Sequence, residues 1–542
     1  MRRPSRSATR FLQSPITQAA SAAIALAVMS VVHGGDGLWF QGDAPRHAMN
    51  GLFWWDLLRA APSDPLHFVV QYYARFPAIS PATYPPLFYL VEGLAFAIFG
   101  PSPYVARALV LLFALVACGY TMEWARRWID PMAGWAGAVL ALTPALVVWS
   151  NSIMLNVPAL ALALATLYHT RRWIESSARR QLALMALSAV ATIGIYYQAA
   201  SVLVVCGGWI VLQRREIRDR RQLAWLAAAI VMAMLPAVVA LILAPVQLAR
   251  HLPPMSELTR VVNWTYYWRK LPELTGWRLL AMGGIGVAAS LATPTWRREA
   301  RFLTVWIAAV LVSISFLPAR DTRYILLATP AVVLLGAVGM VSVTAHWPSR
   351  MLRLRIIAVA VALVPMSMLA TRTSVPTVSG IREVAAFLKE AAPNDAVLFD
   401  GAHSGVFVFY LRALDPAFQR RVLLASKLLY ARAERSTFEV VEESYVSSTD
   451  EVISALRTRA GCRYIAFETG DVTHEAAGRR LLREALRRPE FTLVRSFPVT
   501  AWDQRRIDLY RFEGDITPIT GVDLNFPAFS THQFLQVQPV TR

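Results

Sequence analysis

Long apolar runs alternate along the chain with short, arginine-rich polar segments. A helix needs roughly 17–25 mostly apolar residues to cross a bilayer. We predict a spanning helix in each of eleven runs: 14–33, 103–123, 132–149, 157–171, 181–196, 199–212, 223–244, 277–293, 301–317, 324–344 and 355–371. The segment 181–212 is the hardest to assign, because it must hold either two short spans or none. Both of its flanks are rich in arginine, which predicts the same side of the membrane for each and therefore an even number of crossings.

The arginines predict the orientation of these spans. Six polar segments contain 21 arginines between them: 1–13, 124–130, 171–180, 213–222, 294–301 and 345–355. The segments on the other side, up to residue 323, contain only nine lysines and arginines. Short cytoplasmic loops are enriched in these residues, so we assign the first group to the cytoplasm and interpret each arginine run as a topology anchor. No convincing small-residue cleavage site follows the first run, which predicts an uncleaved span.

One apolar segment, 84–100, does not fit as a span. It begins with Pro85 and Pro86 and contains Glu92, and counting it as a crossing would place residues 125–128 outside the cytoplasm. Proline fixes φ and lacks an amide donor, which suits the first turn of a helix. We therefore predict a juxtamembrane or re-entrant helix on the outer face, with a sharp start after the proline pair.

Composition supports a polytopic membrane protein. The chain is 56% hydrophobic and only 16% charged, whereas a soluble domain has about 25% charged residues. Its net charge of +19 could suggest nucleic acid, but the arginines lie between apolar runs instead of on one basic domain, so we expect no nucleic-acid partner. The three cysteines have no metal-binding spacing.

The pattern changes after residue 371. Helical segments alternate there with short apolar strands: helices at 381–393, 404–414, 451–461 and 478–489, and strands at 396–400, 463–468, 491–499 and 505–513. This predicts a soluble α/β domain over 374–542, which the topology places outside the cytoplasm, after a membrane domain over 1–373. The sequence GGIG at 283–286 lies inside a span and indicates helix packing instead of phosphate binding.

Polar side chains concentrate in four outer loops. The first, 34–102, is too long for a simple connector and contains Asp43, Arg46 and His47 directly after the first span. The second, 149–159, contains Asn156, and the fourth, 245–276, contains Lys270. The third, 317–324, contains Arg320 and Arg323. Arginine at the edge of the bilayer suits a lipid phosphate, since its fork of donors matches the oxyanion.

An acid near a phosphate-binding arginine at the bilayer edge suggests transfer from a lipid-linked donor. The acid can act as general base toward an acceptor hydroxyl, and the cation can stabilise the departing phosphate. A simpler interpretation stays open: Asp43 and Arg46 can pair with each other as a solvated turn, and His47 can be structural.

Four stretches in this order carry a resemblance to a known family: GDAPRHAMNG at 42–51, YPPLFYL at 84–90, MLNVPALALA at 154–163 and TRYILLATPAVVLL at 322–335. The chain resembles the integral-membrane glycosyltransferases of the C superfamily that use polyprenyl-phosphate sugars, in the branch of protein mannosyltransferases and aminoarabinose transferases. The resemblance covers roughly 10–371. It implies a mainly helical membrane protein of GT-C type, an outward-facing active site, and a sugar donor carried on a polyprenyl phosphate.

The resemblance also implies roles for particular residues. Asp43 matches the catalytic base or metal ligand of the first outer loop, and Tyr84, Pro85 and Pro86 match the motif that shapes the donor cavity. Arg323 and Tyr324 match the basic and aromatic pair near the lipid phosphate.

Two positions depart from the family pattern. Asn156 stands where the family usually has an acid, and Ala44 follows Asp43 where many relatives have a second acid. An amide is a poor metal ligand, so a site bridged by Mg or Mn is in doubt. No residue is a firm metal ligand, Asp43 is the candidate if a metal ion binds, and no cofactor is certain.

These observations predict an inverting glycosyltransferase of the cytoplasmic membrane, with an acceptor on the outer face that is a glycan, a lipid or a protein. Asp43 is the predicted catalytic residue. The predicted substrate contacts are Arg46, His47, Tyr84, Pro85, Pro86, Asn156, Lys270, Arg320, Arg323 and Tyr324. Two alternatives are a lipid or polysaccharide transporter, which would show charges inside the spans, and a scaffold without activity.

Overall fold

The structure is a computed structural model. It describes residues 10–34, 42–213 except 82, scattered positions between 221 and 238, 260–345 except 293, 318 and 319, 351–417 except 394, 420–434, 440–470, 475–517 except 502, 521–526 and 531–536.

Most of the described chain is helical. The α-helices in chain order are α1 Pro15–His33, α2 Asp43–Ala60, α3 Pro65–Arg75, α4 Leu87–Phe99, α5 Pro103–Trp128, α6 Ala136–Ala141, α7 Pro144–Ser150, α8 Asn156–Ser176, α9 Arg179–Ile195, α10 Ser201–Leu212, α11 Val261–Thr275, α12 Trp277–Ala292, α13 Pro294–Ser315, α14 Thr329–Ala345, α15 Met351–Arg372, α16 Ile381–Ala391, α17 Ser404–Leu414, α18 Ala425–Leu428, α19 Thr449–Ser454 and α20 Ala477–Ala485. Shorter 3-10 helices lie at Pro131–Trp135, Tyr197–Ala200 and Thr322–Leu327, and a π-helical turn lies at Ala455–Ala460.

The strands belong mainly to the last third of the chain. They are β1 Ala396–Asp400, β2 Val422–Leu424, β3 Tyr430–Glu434, β4 Val440–Ser444, β5 Cys462–Thr469, β6 Phe491–Thr500, β7 Gln504–Phe512, β8 Gly521–Phe526 and β9 Thr531–Gln536.

Two compact units account for the chain. The helical unit comprises Met1–Gly34, Tyr84–Phe88 and Arg107–Val375, and the mixed unit comprises Gly35–Thr83, Tyr89–Ala106 and Pro376–Arg542. The mixed unit therefore contains α2 and α3, most of α4, and the whole of the C-terminal sheet. Segments from both sides of the predicted domain boundary contribute to it.

Ten of the eleven runs predicted as spans are helical, although 132–149 is divided into a 3-10 turn and two short helices. The run at 223–244 lies mostly outside the described residues. Among the described residues, three helices are long and apolar enough to cross a membrane: Pro15–His33, Pro103–Trp128 and Leu354–Arg372. Two bent pairs raise this number to five if each is one span: Pro131–Ala141 with Pro144–Ser150, and Trp264–Thr275 with Trp277–Leu291. The count of eleven crossings stays a prediction.

The segment 181–212 forms two short helices, α9 and α10, joined by a 3-10 turn. The helix predicted after the proline pair begins at Leu87 and ends at Phe99, so its sharp start is confirmed and its 13 residues fall short of a span.

Glycine contacts bring α12 and α14 together. A Cβ at Gly286 would lie 2.5 Å from the carbonyl oxygen of Leu335, and a Cβ at Gly339 would collide with the carbonyl oxygen of Met282. Small residues at such positions let membrane helices approach closely. The interpretation of GGIG as a packing motif is therefore confirmed.

One arginine of the 171–180 run is buried in the helical unit. Arg171 donates to Glu299 at 2.5 Å, and its guanidinium lies 4.0 Å from the ring centroid of Trp128. Trp124 donates its indole N–H to the same carboxylate at 2.8 Å. A buried charge needs such partners to offset its loss of hydration. Arg171, which was predicted as a topology anchor, therefore also connects helices α5, α8 and α13.

The mixed unit is built on a five-stranded sheet with the order β2-β1-β5-β7-β6. Strand β1 pairs in parallel with β2 and β5, so that Leu398 lies opposite Leu423 and Ile465. Strand β7 runs antiparallel to β5 and β6. The eight helices and strands predicted between 381 and 513 all form. The sequence analysis missed β2, α18 and the hairpins β3–β4 and β8–β9.

Candidate functional site

A small cleft in the helical unit collects several of the predicted binding residues. We call it the arginine–tyrosine cleft, and it is lined by Asn156, Ala159, Tyr196, Gln198, Ile314, Arg323, Tyr324, Leu326 and Leu327. Asn156, Arg323 and Tyr324 were predicted from the sequence. Tyr84, also predicted, is close to the lining, with its ring centroid 6.3 Å from that of Tyr196.

Arg323 is positioned by the residue that starts its 3-10 helix. Asp321 caps this helix by accepting from the backbone N–H of Arg323 at 3.0 Å. The other oxygen of Asp321 lies 3.2 Å from Nε of Arg323. The guanidinium carbon is also 5.4 Å from the ring centroid of Tyr324. Because a guanidinium is a planar fork of donors, fixing its Nε side orients the rest of the fork.

A hydrogen-bonded chain crosses the cleft beside this arginine. Tyr196 donates its hydroxyl to Oε1 of Gln198, and Nε2 of Gln198 donates to the hydroxyl of Tyr324 at 3.4 Å. Tyr196 and Gln198 lie at the break between α9 and α10, where the backbone leaves the helix. Sequence reasoning missed both residues, although the polar triplet YYQ within an apolar run was a signal that could have marked them.

Asn156 is the first residue of α8, and its side chain is buried. Its amide offers both donors and an acceptor to a bound group but cannot serve as a base at neutral pH. The cleft therefore combines one cation, phenol groups and neutral amides. Such a set can bind an anion and sugar hydroxyls.

Of the predicted cations in the helical unit, Lys270 and Arg320 do not line this cleft. Lys270 pairs with Glu273 of its own helix α11 at 2.8 Å, and both side chains are substantially exposed. Arg320 precedes the 3-10 helix that contains Arg323.

Pro85 and Pro86, which were predicted to shape the donor cavity, precede α4, and the next residue, Leu87, packs against Gly194.

In the mixed unit, Asp43 is the first residue of α2. It follows Gly42, whose φ of +89° suits a residue without a side chain. A carboxylate at a helix N-terminus is stabilised by the helix dipole. Asp43 lies 3.4 Å from Arg46, with side-chain exposures of 23% and 46%. The predicted pairing thus occurs, but it is long and solvated, and it leaves the carboxylate accessible.

His47 faces the interior of the mixed unit. Its Nδ1 is 2.8 Å from the hydroxyl of Tyr89 on α4, and its side chain is buried. The two rings stack with centroids 5.9 Å apart. This geometry agrees with the structural alternative for His47, while its predicted substrate contact stays a prediction.

A buried charge network joins three helices of the mixed unit. Arg412 of α17 donates to Asp56 of α2 at 2.6 Å, and Tyr72 of α3 donates to the same oxygen at 2.8 Å. Burial raises the pKa of Asp56, and Arg412 and Tyr72 oppose that rise. The sequence analysis placed Asp56 in the first outer loop, 34–102, and could not identify its partners.

Glu92 of α4 is completely buried. Neither carboxylate oxygen has a hydrogen-bond partner among the described residues. A Cβ added to Gly51 would lie 2.5 Å from one of these oxygens, so α2 and α4 pack closely over the carboxyl group. Burial raises the pKa of Glu92 well above its usual range, which favours the neutral acid.

The described residues contain no group of three His, Cys, Asp or Glu side chains placed to hold a metal ion. Asp43 has the cation Arg46 beside it, at 3.4 Å. One carboxylate beside a guanidinium is a weak donor set for Mg or Mn, which prefer several oxygen ligands. The requirement for a divalent cation stays a prediction.

The comparisons with known proteins agree with the resemblance found in the sequence. Residues 83–240 match the family model of dolichyl-phosphate-mannose-protein mannosyltransferases. No curated protein sequence matches the chain. The fold is similar to ArnT from Cupriavidus metallidurans bound to undecaprenyl phosphate, with a TM-score of 0.57, 15% identity, and coverage of 92% of this chain and 99% of that one.

Two other solved structures share the fold. Arabinofuranosyltransferase AftD from Mycobacteria has a TM-score of 0.54 and 15% identity, over 94% of this chain and 40% of that one. The oligosaccharyltransferase AglB from Archaeoglobus fulgidus, in complex with an inhibitory peptide and a dolichol-phosphate, has a TM-score of 0.50 and 12% identity, over 84% of this chain and 69% of that one. The resemblance found in the sequence is therefore confirmed for residues 83–240 by the family model, and for the fold by the solved structures of membrane glycosyltransferases.

Proposed function

We propose that this protein transfers a sugar from a polyprenyl-phosphate donor to an acceptor on the outer face of the cytoplasmic membrane. The observation that carries the proposal is the arginine–tyrosine cleft, in which Arg323 lies among tyrosines and amides. Similarity to ArnT, whose structure holds undecaprenyl phosphate, and the match to a family that uses dolichyl-phosphate mannose both support this donor class.

In the proposed reaction, Arg323 binds the phosphate of the donor. A charge-assisted, forked contact suits a phosphate oxyanion, and it strengthens as the phosphate gains charge on leaving. Asn156, Gln198 and Tyr324 can hydrogen-bond the sugar or the phosphate. Leu326, Leu327 and Ile314 supply the apolar part of the lining, which suits the first isoprene units.

Asp43 is the proposed general base. It accepts the proton of the acceptor hydroxyl while that oxygen attacks the anomeric carbon. The bond between the anomeric carbon and the phosphate oxygen breaks, and its electron pair stays on the lipid phosphate. One displacement of this kind inverts the anomeric centre. We also propose that the C-terminal domain lies outside the cytoplasm, a proposal that the distribution of arginines along the chain supports.

The test compares variants of the full-length protein in membrane vesicles that hold the endogenous acceptors, supplied with undecaprenyl-phosphate-linked mannose and aminoarabinose. We expect Asp43→Asn to transfer sugar at least ~100-fold more slowly while still binding donor, because general-base catalysis contributes about 10²–10⁴-fold. Asp450→Asn is the matched control, since Asp450 is also an acid in the first turn of a helix and is exposed.

A second arm of the same experiment concerns donor affinity. Arg323→Ala should weaken donor binding by about tenfold or more, since a charge-assisted hydrogen bond is worth about 1.5–3 kcal/mol. Arg323→Lys should restore part of the affinity, because it keeps the charge and loses the fork. Near-normal transfer by Asp43→Asn would overturn the catalytic assignment, and unchanged donor affinity in Arg323→Ala would remove the cleft from the site. If Asp43 instead held a metal ion, a chelator would silence the wild type and Asp43→Asn would need a higher metal concentration for the same rate.

A further inference from the structure

Helix α17, which follows strand β1 in the chain, lies against α2, the helix that begins with Asp43. At the start of α17, a Cβ added to Gly405 would lie 3.0 Å from Cγ of Pro45 and 3.3 Å from its Cβ. Pro45 is buried, only two residues after Asp43. Because a side chain at 405 would push against the proline ring, glycine sets how closely the two helices approach at this point.

The same two helices are joined again farther along. Arg412, near the end of α17, donates to Asp56 of α2 at 2.6 Å. Nε of Arg412 also donates to the hydroxyl of Tyr72 at 3.3 Å. Helix α17 therefore contacts α2 near the first residue of α2 and again near its end, which limits both sliding and tilting of α2.

The sheet in turn holds the start of α17. His403 precedes this helix, and both its backbone N–H and its Nδ1 contact the carboxylate of Glu468 from β5, at 3.1 and 2.7 Å. Arg505 of β7 lies 3.3 Å from the same carboxylate. Burial of Glu468 acts to raise its pKa, but the contacts with His403 and Arg505 together outweigh burial and hold this pKa below its usual range. The ring centroids of Phe399 on β1 and Phe407 on α17 lie 4.4 Å apart, which gives a second contact between the sheet and this helix.

We infer that α17 is a positioning element for Asp43, acting through the contact between Gly405 and Pro45. This inference rests on the proposed function of Asp43 as general base. A base must be held within a fraction of an ångström of its reacting geometry, and a misplacement of 1 Å can cost about 10²-fold in rate. The C-terminal part of the chain thereby contributes to catalysis without contacting the substrate.

The test is a small displacement of α2 at its first turn. Gly405→Ala forces Pro45 to give way by a few tenths of an ångström, so we expect kcat to fall about three- to tenfold with the KM for donor unchanged. Ser404→Ala is the matched control on the same helix and should keep wild-type kcat. Thermal unfolding and size-exclusion profiles of each purified variant establish that it folds.

Two further variants separate positioning from general damage. Gly405→Ala combined with Pro45→Ala removes the Cγ atom that the new Cβ meets, and it should restore most of the lost kcat. In an Asp43→Asn background, Gly405→Ala should change the residual rate by less than twofold, because the group it displaces no longer acts as a base. An equal loss in both backgrounds, or no rescue by Pro45→Ala, would overturn the inference.

The outcome for the inference can be distinguished from that for the proposed function. If Asp43→Asn alone keeps a near-normal rate, the general base is wrong, and the inference falls with it. If Asp43→Asn is slow while Gly405→Ala behaves like Ser404→Ala, the base is correct and α17 does not position it.

Discussion

Replacing Arg412 by leucine should destabilise the protein strongly. The side chains of Arg412 and Asp56 are only 5% and 3% exposed, and their atoms lie 2.6 Å apart. Removing one partner of a buried pair leaves a charge without compensation and costs about 3–5 kcal/mol. For a unit of about 150–250 residues, each kcal/mol lowers the unfolding midpoint by about 2–4 °C. We therefore expect a loss of about 6–20 °C.

The pH dependence of this loss has a definite sign. Burial raises the pKa of Asp56, and Arg412 opposes that rise, so Arg412→Leu should raise the pKa further. A carboxyl group whose pKa is raised by folding binds its proton more tightly in the folded state than in the unfolded state. The protein therefore becomes less stable as the pH rises above the pKa that this group has in the unfolded chain. The cost of Arg412→Leu should therefore be larger at pH 8 than at pH 5.

The assay is thermal unfolding of the full-length protein in detergent, followed by near-UV circular dichroism at both pH values. Adding Asp56→Asn to Arg412→Leu should recover much of the midpoint, since the amide keeps an acceptor for Tyr72 and carries no charge. Arg511→Leu is the control, because Arg511 forms an exposed pair with Glu513 and should leave the midpoint almost unchanged. A midpoint for Arg412→Leu within about 2 °C of wild type would refute this account of the network.

Glu92→Gln tests burial by the same assay, and the pair Gly339→Ala and Gly284→Ala tests packing. Glu92→Gln should raise the unfolding midpoint at pH 8, and this gain should disappear toward pH 5. The reason is that the raised pKa of Glu92 makes the wild type less stable as the pH rises. An equal effect at both pH values would contradict a neutral, buried Glu92. Gly339→Ala should cost about 1–3 kcal/mol, since its Cβ meets the carbonyl oxygen of Met282. Gly284→Ala, whose Cβ meets no atom within 4 Å, should be neutral or stabilising, and equal effects of the two substitutions would rule out the close helix contact.

Features with a local pattern could be predicted from the sequence. Ten apolar runs became helices because their length and composition alone favour them, and the start of α4 followed from two adjacent prolines. Four of the five strands of the C-terminal sheet were found, because short apolar segments such as 396–400 are flanked by turn residues. The GGIG packing motif was visible because small residues recur on one helix.

Features that depend on distant partners could not be predicted. Helix α2 was missed because residues on most of its sides are buried, which removes the one-sided apolar stripe that marks a surface helix. Nothing near Asp56 in sequence indicates Arg412. Likewise, the cleft forms where a helix break at Tyr196–Gln198 meets a 3-10 helix that begins at Thr322, and each segment by itself looks like a short connector.

The discontinuous make-up of the mixed unit also sets an order of events during synthesis. Asp56 and Arg412 are 356 residues apart, and at about 5–20 residues per second the ribosome needs roughly 20–70 s to add that length. During this interval helices α2 and α3 are already made, while their partner helix α17 does not yet exist. A nascent chain that stalls before residue 412 therefore leaves these segments without the surface that covers them, open to proteases and chaperones until synthesis resumes.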